Sequence, residues 1–75
     1  MKTAEQILQE LIDLQEKKVL NLANRLVPGA TLEDIRNPHD FPALRDDPDF
    51  NFEDGILAGL LSARMALRAN LTKIH

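Results

Sequence analysis

Apolar residues recur every three or four positions through the first third of the chain, and this spacing predicts a long helix over about residues 4–27. Thr3 and Gln6 have the spacing of a capping box, which satisfies free backbone amides at a helix start. Pro28 and Gly29 are expected to stop the helix. The apolar side of this helix consists of Leu8, Ile12, Val19, Leu22 and Leu26, widened by Leu11 and Ala23.

A second long helix is predicted over about residues 52–74, with Asp49 or Asn51 as its N-terminal cap. Its apolar residues form two stripes roughly a third of a turn apart. Because its polar residues gather on no single side, it has the pattern of a buried helix that one partner helix cannot cover. The first stripe, expected to cover the first helix, is Phe52, Ile56, Leu60, Ala63, Leu67, Leu71 and Ile74. The second stripe is Leu57, Leu61 and Met65.

The segment between the helices, about residues 28–51, is predicted to be a proline-rich linker. Thr31 can cap one short helical turn that ends near Arg36. Three prolines are expected to break regular structure after that turn: Pro38, Pro42 and Pro48. The apolar residues that can pin the linker to the helices are Phe41, Leu44 and Phe50.

The charges predict that the two helices pair antiparallel. In both helices acidic residues stand early and basic residues stand late. Antiparallel pairing therefore places Lys17, Lys18 and Arg25 near Asp46, Asp47, Glu53 and Asp54, and places Glu5, Glu10 and Asp13 near Arg64, Arg68 and Lys73. The expected fold is a single all-α domain over residues 1–75, an antiparallel two-helix hairpin with a short helical turn in its linker.

The excess apolar surface of the second helix must be covered, and the pattern is compatible with either of two covers. The linker can fold back over it, or a second copy can cover it and produce a dimeric four-helix bundle. A chain of 75 residues without cysteine has a marginal core and no disulfide, which favours the second copy. Leu57, Leu61 and Met65 are therefore the candidate interface for a homodimer, or for an unidentified protein partner.

Two central positions admit more than one interpretation. Gln15 lies near the middle of the first helix's apolar side, where it can reach solvent or act as a buried polar residue that fixes the register between chains. Gly55 and Gly59 are spaced as in closely packed helix pairs, and in a protein outside the membrane this spacing indicates tight core packing.

No residue set points to catalysis, so the sequence predicts a protein that is not an enzyme. Ser62 lies inside a predicted helix rather than on a nucleophile elbow, and the chain has no cysteine or tyrosine. Neither His39 nor His75 has a glutamate three residues before it, as the di-iron sites of helical bundles require. We therefore expect no catalytic residue, no cofactor and no resident metal.

The acidic segment 46–54 carries oxygen-bearing side chains at alternate positions, as a calcium-binding loop does. The pattern then departs, because Phe52 replaces the required glycine and Ala58 replaces the required glutamate. Helix capping and solvated charge are the favoured interpretation, with weak cation binding as an alternative. The residues at alternate positions are Asp47, Asp49 and Asn51.

Nucleic acid and membranes are not expected partners. A net charge of −3 lacks the basic footprint of a nucleic-acid-binding protein, although Arg64, Arg68 and Lys73 keep weak phosphate contact open as an alternative. No apolar run approaches the ~20 residues that span a bilayer. The acidic start of the chain is unlike a signal peptide, which predicts a cytoplasmic location.

The sequence does not indicate a cellular process. Its leading interpretation is a small structural or protein-interaction module that self-associates through its apolar helices. The alternative is a regulator that binds ions or nucleic acid weakly, through the acidic segment 46–54 or the three basic residues of the second helix.

Overall fold

The computed structural model of the chain describes residues 1–72, and within them the regular structure is entirely helical. The expectations for Lys73, Ile74 and His75 lie outside the described residues. The element order is α1 (Ala4–Leu26), α2 (Leu32–Arg36), a 3-10 turn (Pro38–Asp40), α3 (Pro42–Arg45) and α4 (Pro48–Thr72).

The two long helices, α1 and α4, form the hairpin and run antiparallel. Near the start of α1, Glu5 pairs with Arg68, close to the end of the described part of α4. Further along α1, the Gln15 side chain reaches Glu53, close to the start of α4. The predicted all-α, antiparallel two-helix hairpin is therefore confirmed.

Both ends of α1 follow the signals in the sequence. The Thr3 hydroxyl accepts from the Gln6 amide at 3.1 Å, and the Gln6 side chain accepts from the Thr3 amide at 2.8 Å, which completes the predicted capping box. After Leu26 the chain turns through Gly29, whose φ of 84° is a conformation that glycine adopts at little cost. The Asn24 side chain fixes this turn by accepting from the Gly29 amide at 3.0 Å and donating to the Ala30 carbonyl at 3.0 Å.

The prolines of the linker begin helices instead of breaking them, so that expectation was wrong. Pro38 opens the 3-10 turn, Pro42 opens α3 and Pro48 opens α4. A first-turn proline gives up an amide that has no intrahelical partner anyway, and its fixed φ suits a helix. Thr31 does cap α2 as predicted, because its hydroxyl accepts from the Asp34 amide at 3.3 Å.

The second long helix starts at Pro48, four residues before the predicted position 52. Its cap is Asp47, whose carboxylate accepts from the Phe50 amide at 2.8 Å, and neither Asp49 nor Asn51 has that role. The earlier start carries Phe50 into the helix, where its side chain is fully buried.

The core lies between the helices and the folded linker. Leu44 and Phe50 are fully buried and Phe41 is half-buried against them, so these residues pin the linker as predicted. The buried apolar residues are Ile12, Val19, Ala23, Ala30, Ile35, Leu44, Phe50 and Leu57.

The side of α4 that faces α1 differs from the predicted one. The first stripe was expected to cover α1, and Leu60 is half-buried against the core, yet Phe52 is 69% exposed and Ile56 is also exposed. The buried positions on α4 are instead Phe50, Glu53 and Leu57, about a quarter turn away. Because apolar residues lie almost all round α4, the pattern does not determine which side turns inward.

The glycine spacing has a different setting from the one expected. A Cβ atom added at Gly55 or Gly59 would meet nothing within 4 Å outside the local helix. Both glycines are exposed, so the expected tight core packing is absent there. Among residues 1–72, no helix combines the length and the hydrophobicity that crossing a bilayer requires.

Candidate functional site

The contact line between α1 and α4 carries several polar links. The Gln15 side chain donates to the Glu53 carbonyl at 2.8 Å, across the two helices. Gln15 is therefore neither freely solvated nor available to fix the register between chains through this amide group. It links the two helices of one chain, close to the N-terminal end of α4.

The basic residues of α4 are also engaged across the hairpin. The Arg64 guanidinium donates to the Gln9 side chain at 2.8 Å, and Arg68 forms an ion pair with Glu5. The latter pair is one that antiparallel pairing predicted. Because these guanidinium groups are already bound, the arrangement gives no support to the phosphate-binding alternative.

Lys18 and Glu53 form the second predicted ion pair between the helices, with 3.2 Å between Nζ and Oε2. Glu53 is only 8% exposed. Apart from this ion pair, its buried Oε2 atom has no partner among the described residues. Lys18 is itself largely exposed, so it compensates the buried carboxylate from the protein surface.

The three residues of the sequence-predicted interface lie in different surroundings. Leu57 is 6% exposed and belongs to the core, and Leu61 is half-buried against that core. Met65, one turn further along, is 71% exposed. The linker thus shields the start of the second stripe and leaves its far end uncovered. An interface through all three residues stays a prediction.

A larger uncovered apolar surface lies on the opposite flank of the hairpin. Along α1, Leu11, Leu14 and Lys18 are spaced by three or four residues and so share one side of the helix. Lys18 reaches Glu53 of α4, and Ile56 follows Glu53 at the same spacing. The exposed stripes of the two helices therefore lie side by side. This surface, called the open face below, consists of Ile7, Leu11, Leu14, Phe52, Ile56 and Ala63.

The other flank is the linker face, where α2 packs on α1 and Pro38 of the 3-10 turn borders a cleft beside α4. Glu16, Asp54 and Leu57 line one cleft there together with Ile35 of α2. Glu16 and Asp54 directly follow Gln15 and Glu53, the pair that marks the contact line, and they point to the flank opposite Lys18. The hairpin therefore has one covered side and one uncovered side.

The acidic segment is arranged for helix capping and local ion pairing. Asp47 caps α4, and Arg45 holds Asp46 through a side-chain hydrogen bond of 3.0 Å. That hydrogen bond from Arg45 lowers the pKa of the Asp46 carboxyl. Among residues 1–72 no three acidic or histidine side chains come together as a metal site requires. The cation-binding alternative thus gains no support from the geometry.

The apolar residues of the open face are visible in the sequence, but their spacing predicts a different packing partner for them. Phe52, Ile56 and Ala63 were recognised as one stripe, but they were expected to pack on α1. Ile7 and Leu14 were not included in any apolar surface, although they flank Leu11 at helical spacing. A wider apolar sector on α1 than one partner helix can cover would have indicated this face.

No protein-family model, no curated protein and no solved structure matches the chain. The function must therefore be inferred from the geometry itself.

Proposed function

We propose that this protein is a self-associating helical module, and that the open face of one copy packs on the open face of a second copy. The observation that carries this proposal is the position of the uncovered apolar residues. They lie on both long helices and on the same flank, so two copies placed face to face give a dimeric four-helix bundle.

The surface area supports a missing cover of the size that a dimer supplies. The chain exposes 5314 Å², whereas a folded monomer of 8.4 kDa is expected to expose about 4,600 Å². The excess of about 700 Å² is close to the ~800 Å² per partner of a standard protein interface.

The overall shape supports the same conclusion. The chain measures 45 × 23 × 19 Å, with a radius of gyration of 14.4 Å. A compact domain of this length has a radius of gyration of about 11 Å. A two-layer slab of this kind becomes a rounder bundle when a second layer packs on its long apolar side.

One charge at the edge of the open face is already compensated within the chain. Lys18, at the edge of this face, is already paired with Glu53, so apposing two copies buries no unpaired charge at this position. Leu14, at 64% exposed, and Phe52 are the large apolar side chains available as anchors at the two helices. A two-fold axis between the copies makes each contact occur twice.

The experiment compares two charge substitutions on α4 by size-exclusion chromatography with light scattering. Ile56→Glu places a carboxylate within the open face, and Met65→Glu places one on the other flank, at a residue at least as exposed. We expect the unmodified protein and Met65→Glu to dimerise, and Ile56→Glu to remain monomeric. Leu14→Glu repeats the test from α1, and circular dichroism verifies that each variant is folded.

Two results would contradict the proposal. If Met65→Glu abolishes the dimer while Ile56→Glu leaves it intact, the interface is the sequence-predicted stripe and the open face is not used. If the unmodified protein is a monomer at every concentration, the open face does not mediate self-association and the proposal is wrong. The cytoplasmic location stays a prediction from the sequence.

A further inference from the structure

A cleft of about 230 Å³ lies on the linker face, between the folded linker and the two long helices. Leu57 and Leu61 of α4 and Ile35 of α2 form its apolar lining. Glu16 of α1 and Asp54 of α4 also line it. The cleft thus combines an apolar floor with two carboxylates contributed by different helices.

These two carboxylates lack cationic partners. Among residues 1–72 the side-chain carboxylates of Glu16 and Asp54 take part in no hydrogen bond and no ion pair. Both side chains are half-buried, and burial raises the pKa of the Asp54 carboxyl. Partial removal of a carboxylate from water is costly unless a cation compensates it, so the site favours a positive charge brought from outside.

The nearest cation of the chain does not supply that charge. Arg36 of α2 lines the same cleft, but its guanidinium lies 3.8 Å from the carboxylate of Glu33 and is largely exposed. Arg36 is therefore directed to its own helix. It remains a candidate for filling the cleft by a side-chain rotation, and the experiment below includes this case.

We propose that this cleft binds a small organic cation, an amine or guanidine on a short alkyl stem. Leu57 and Leu61 contact the stem, and Glu16 and Asp54 bind the cationic group. The volume selects a small ligand, because drug-sized pockets measure about 300–1,000 Å³. An apolar floor with a few convergent polar groups is the usual make-up of such sites.

This proposal is independent of the proposed dimer. The cleft lies on the linker face and all its lining residues belong to one chain. The open face lies on the opposite flank. Loss of the dimer in Ile56→Glu should therefore leave ligand binding unchanged, and the two proposals can fail separately.

The test is a titration of the isotopically labelled full chain with hexylammonium chloride, followed through the backbone amide signals in NMR spectra. We expect saturable shifts at Ile35, Leu57 and Leu61. Hexanol has the same stem without the charge, and its affinity should be lower than that of hexylammonium by a factor of about ten or more. The double variant Glu16→Gln and Asp54→Asn should bind hexylammonium about tenfold more weakly than the unmodified protein does, which corresponds to a binding free energy smaller by about 1.4 kcal/mol.

A matched control tests whether the loss of hexylammonium binding is specific to the two carboxylates of the cleft. Asp49→Asn removes an exposed carboxylate from the same helix outside the cleft, and it should bind hexylammonium as the unmodified protein does. Equal binding of hexanol and hexylammonium, or undiminished binding in the double variant, would overturn the proposal.

Two other occupants would be revealed by the same titration. Binding that occurs only in Arg36→Gln would show that Arg36 itself is the cation of the cleft, and the proposal would be wrong. Tighter binding of N-acetyl-lysine N-methylamide than of hexylammonium would assign the cleft to a protein side chain, and it would equally overturn the small-molecule proposal.

Discussion

The two flanks of the hairpin are built from the same pair of helices, yet one is covered and the other is not. On the linker face, α2 and α3 place Ile35 and Leu44 in the core, and Leu57 of α4 is buried with them. On the open face, Leu14 and Phe52 remain in solvent. The folded linker thus covers one side of the two helices and leaves the apolar residues of the other side in solvent.

Two phenylalanines at the start of α4 give this difference its clearest form. Phe50 is fully buried among core residues, and Phe52, two positions later, is on the open face. A step of two residues turns a helix by about 200°. The same side-chain type is thus part of the core at position 50 and part of the uncovered open face at position 52.

The largest expected effect therefore separates these two residues. Phe50→Ala should lower the free energy of unfolding by about 3–5 kcal/mol, because it removes a buried aromatic ring and leaves a cavity. Phe52→Ala should change it by less than about 0.5 kcal/mol in the monomer and should weaken the dimer. Urea unfolding at a concentration below dimer formation measures the first quantity, and sedimentation measures the second. Equal losses of monomer stability would remove the distinction between the faces.

The ion pair at the edge of the open face gives the next largest effect. Lys18→Ala leaves the nearly buried Glu53 carboxylate without its cation and should lower the free energy of unfolding by roughly 1–3 kcal/mol. Lys17→Ala is the control and should have almost no effect, because Lys17 is an exposed neighbour that forms no ion pair with any residue of the described range 1–72. Thermal unfolding of both variants, with Glu53→Gln to complete a double-mutant cycle, isolates the pair. A vanishing coupling energy would contradict this role.

Gly55 provides a smaller test, because it lies on an exposed side of α4 and belongs to neither face. Gly55→Ala should stabilise the chain by about 0.5–1 kcal/mol, since alanine favours a helix and the added Cβ meets nothing within 4 Å. The dimer dissociation constant should stay the same. A weaker dimer would mean that this third side is also used in assembly.

The smallest expected effect is a pH dependence on the linker face. Burial raises the pKa of Asp54, so the folded chain holds its proton more tightly than the unfolded chain does. The resulting cost is absent below the ordinary Asp pKa of about 3.9 and grows as the pH rises toward the raised value. Asp54→Asn should therefore raise the melting temperature at pH 7 but not near pH 3. A gain that is equal at both pH values would contradict this cause.

The sequence was a good guide where one residue determines a local structure. The Thr3 capping box, the stop at Gly29 and the Thr31 cap are all present, and the anchors Leu44 and Phe50 are buried. Each of these features depends on backbone hydrogen bonds or on a single apolar side chain within a short segment. Charge also selected the antiparallel orientation correctly.

The rotation of α4 could not be predicted in the same way. Its apolar residues surround the helix, so no periodicity distinguishes an inward side from an outward one. The hydrogen bonds from Gln15 to Glu53 and from Arg64 to Gln9 accompany the observed rotation, and such contacts form only when the helices meet. For this reason the first stripe is correctly predicted to be apolar, but its members Phe52 and Ile56 are in solvent and do not pack on α1.

Sedimentation equilibrium of the unmodified protein over a wide concentration range tests the central claim most directly. We expect the average mass to rise from the 8.4 kDa of one chain toward twice that value and to level off there. A mass that stays at one chain throughout would contradict the claim that a second copy covers the open face. A mass that climbs past two chains without levelling would contradict a closed dimer.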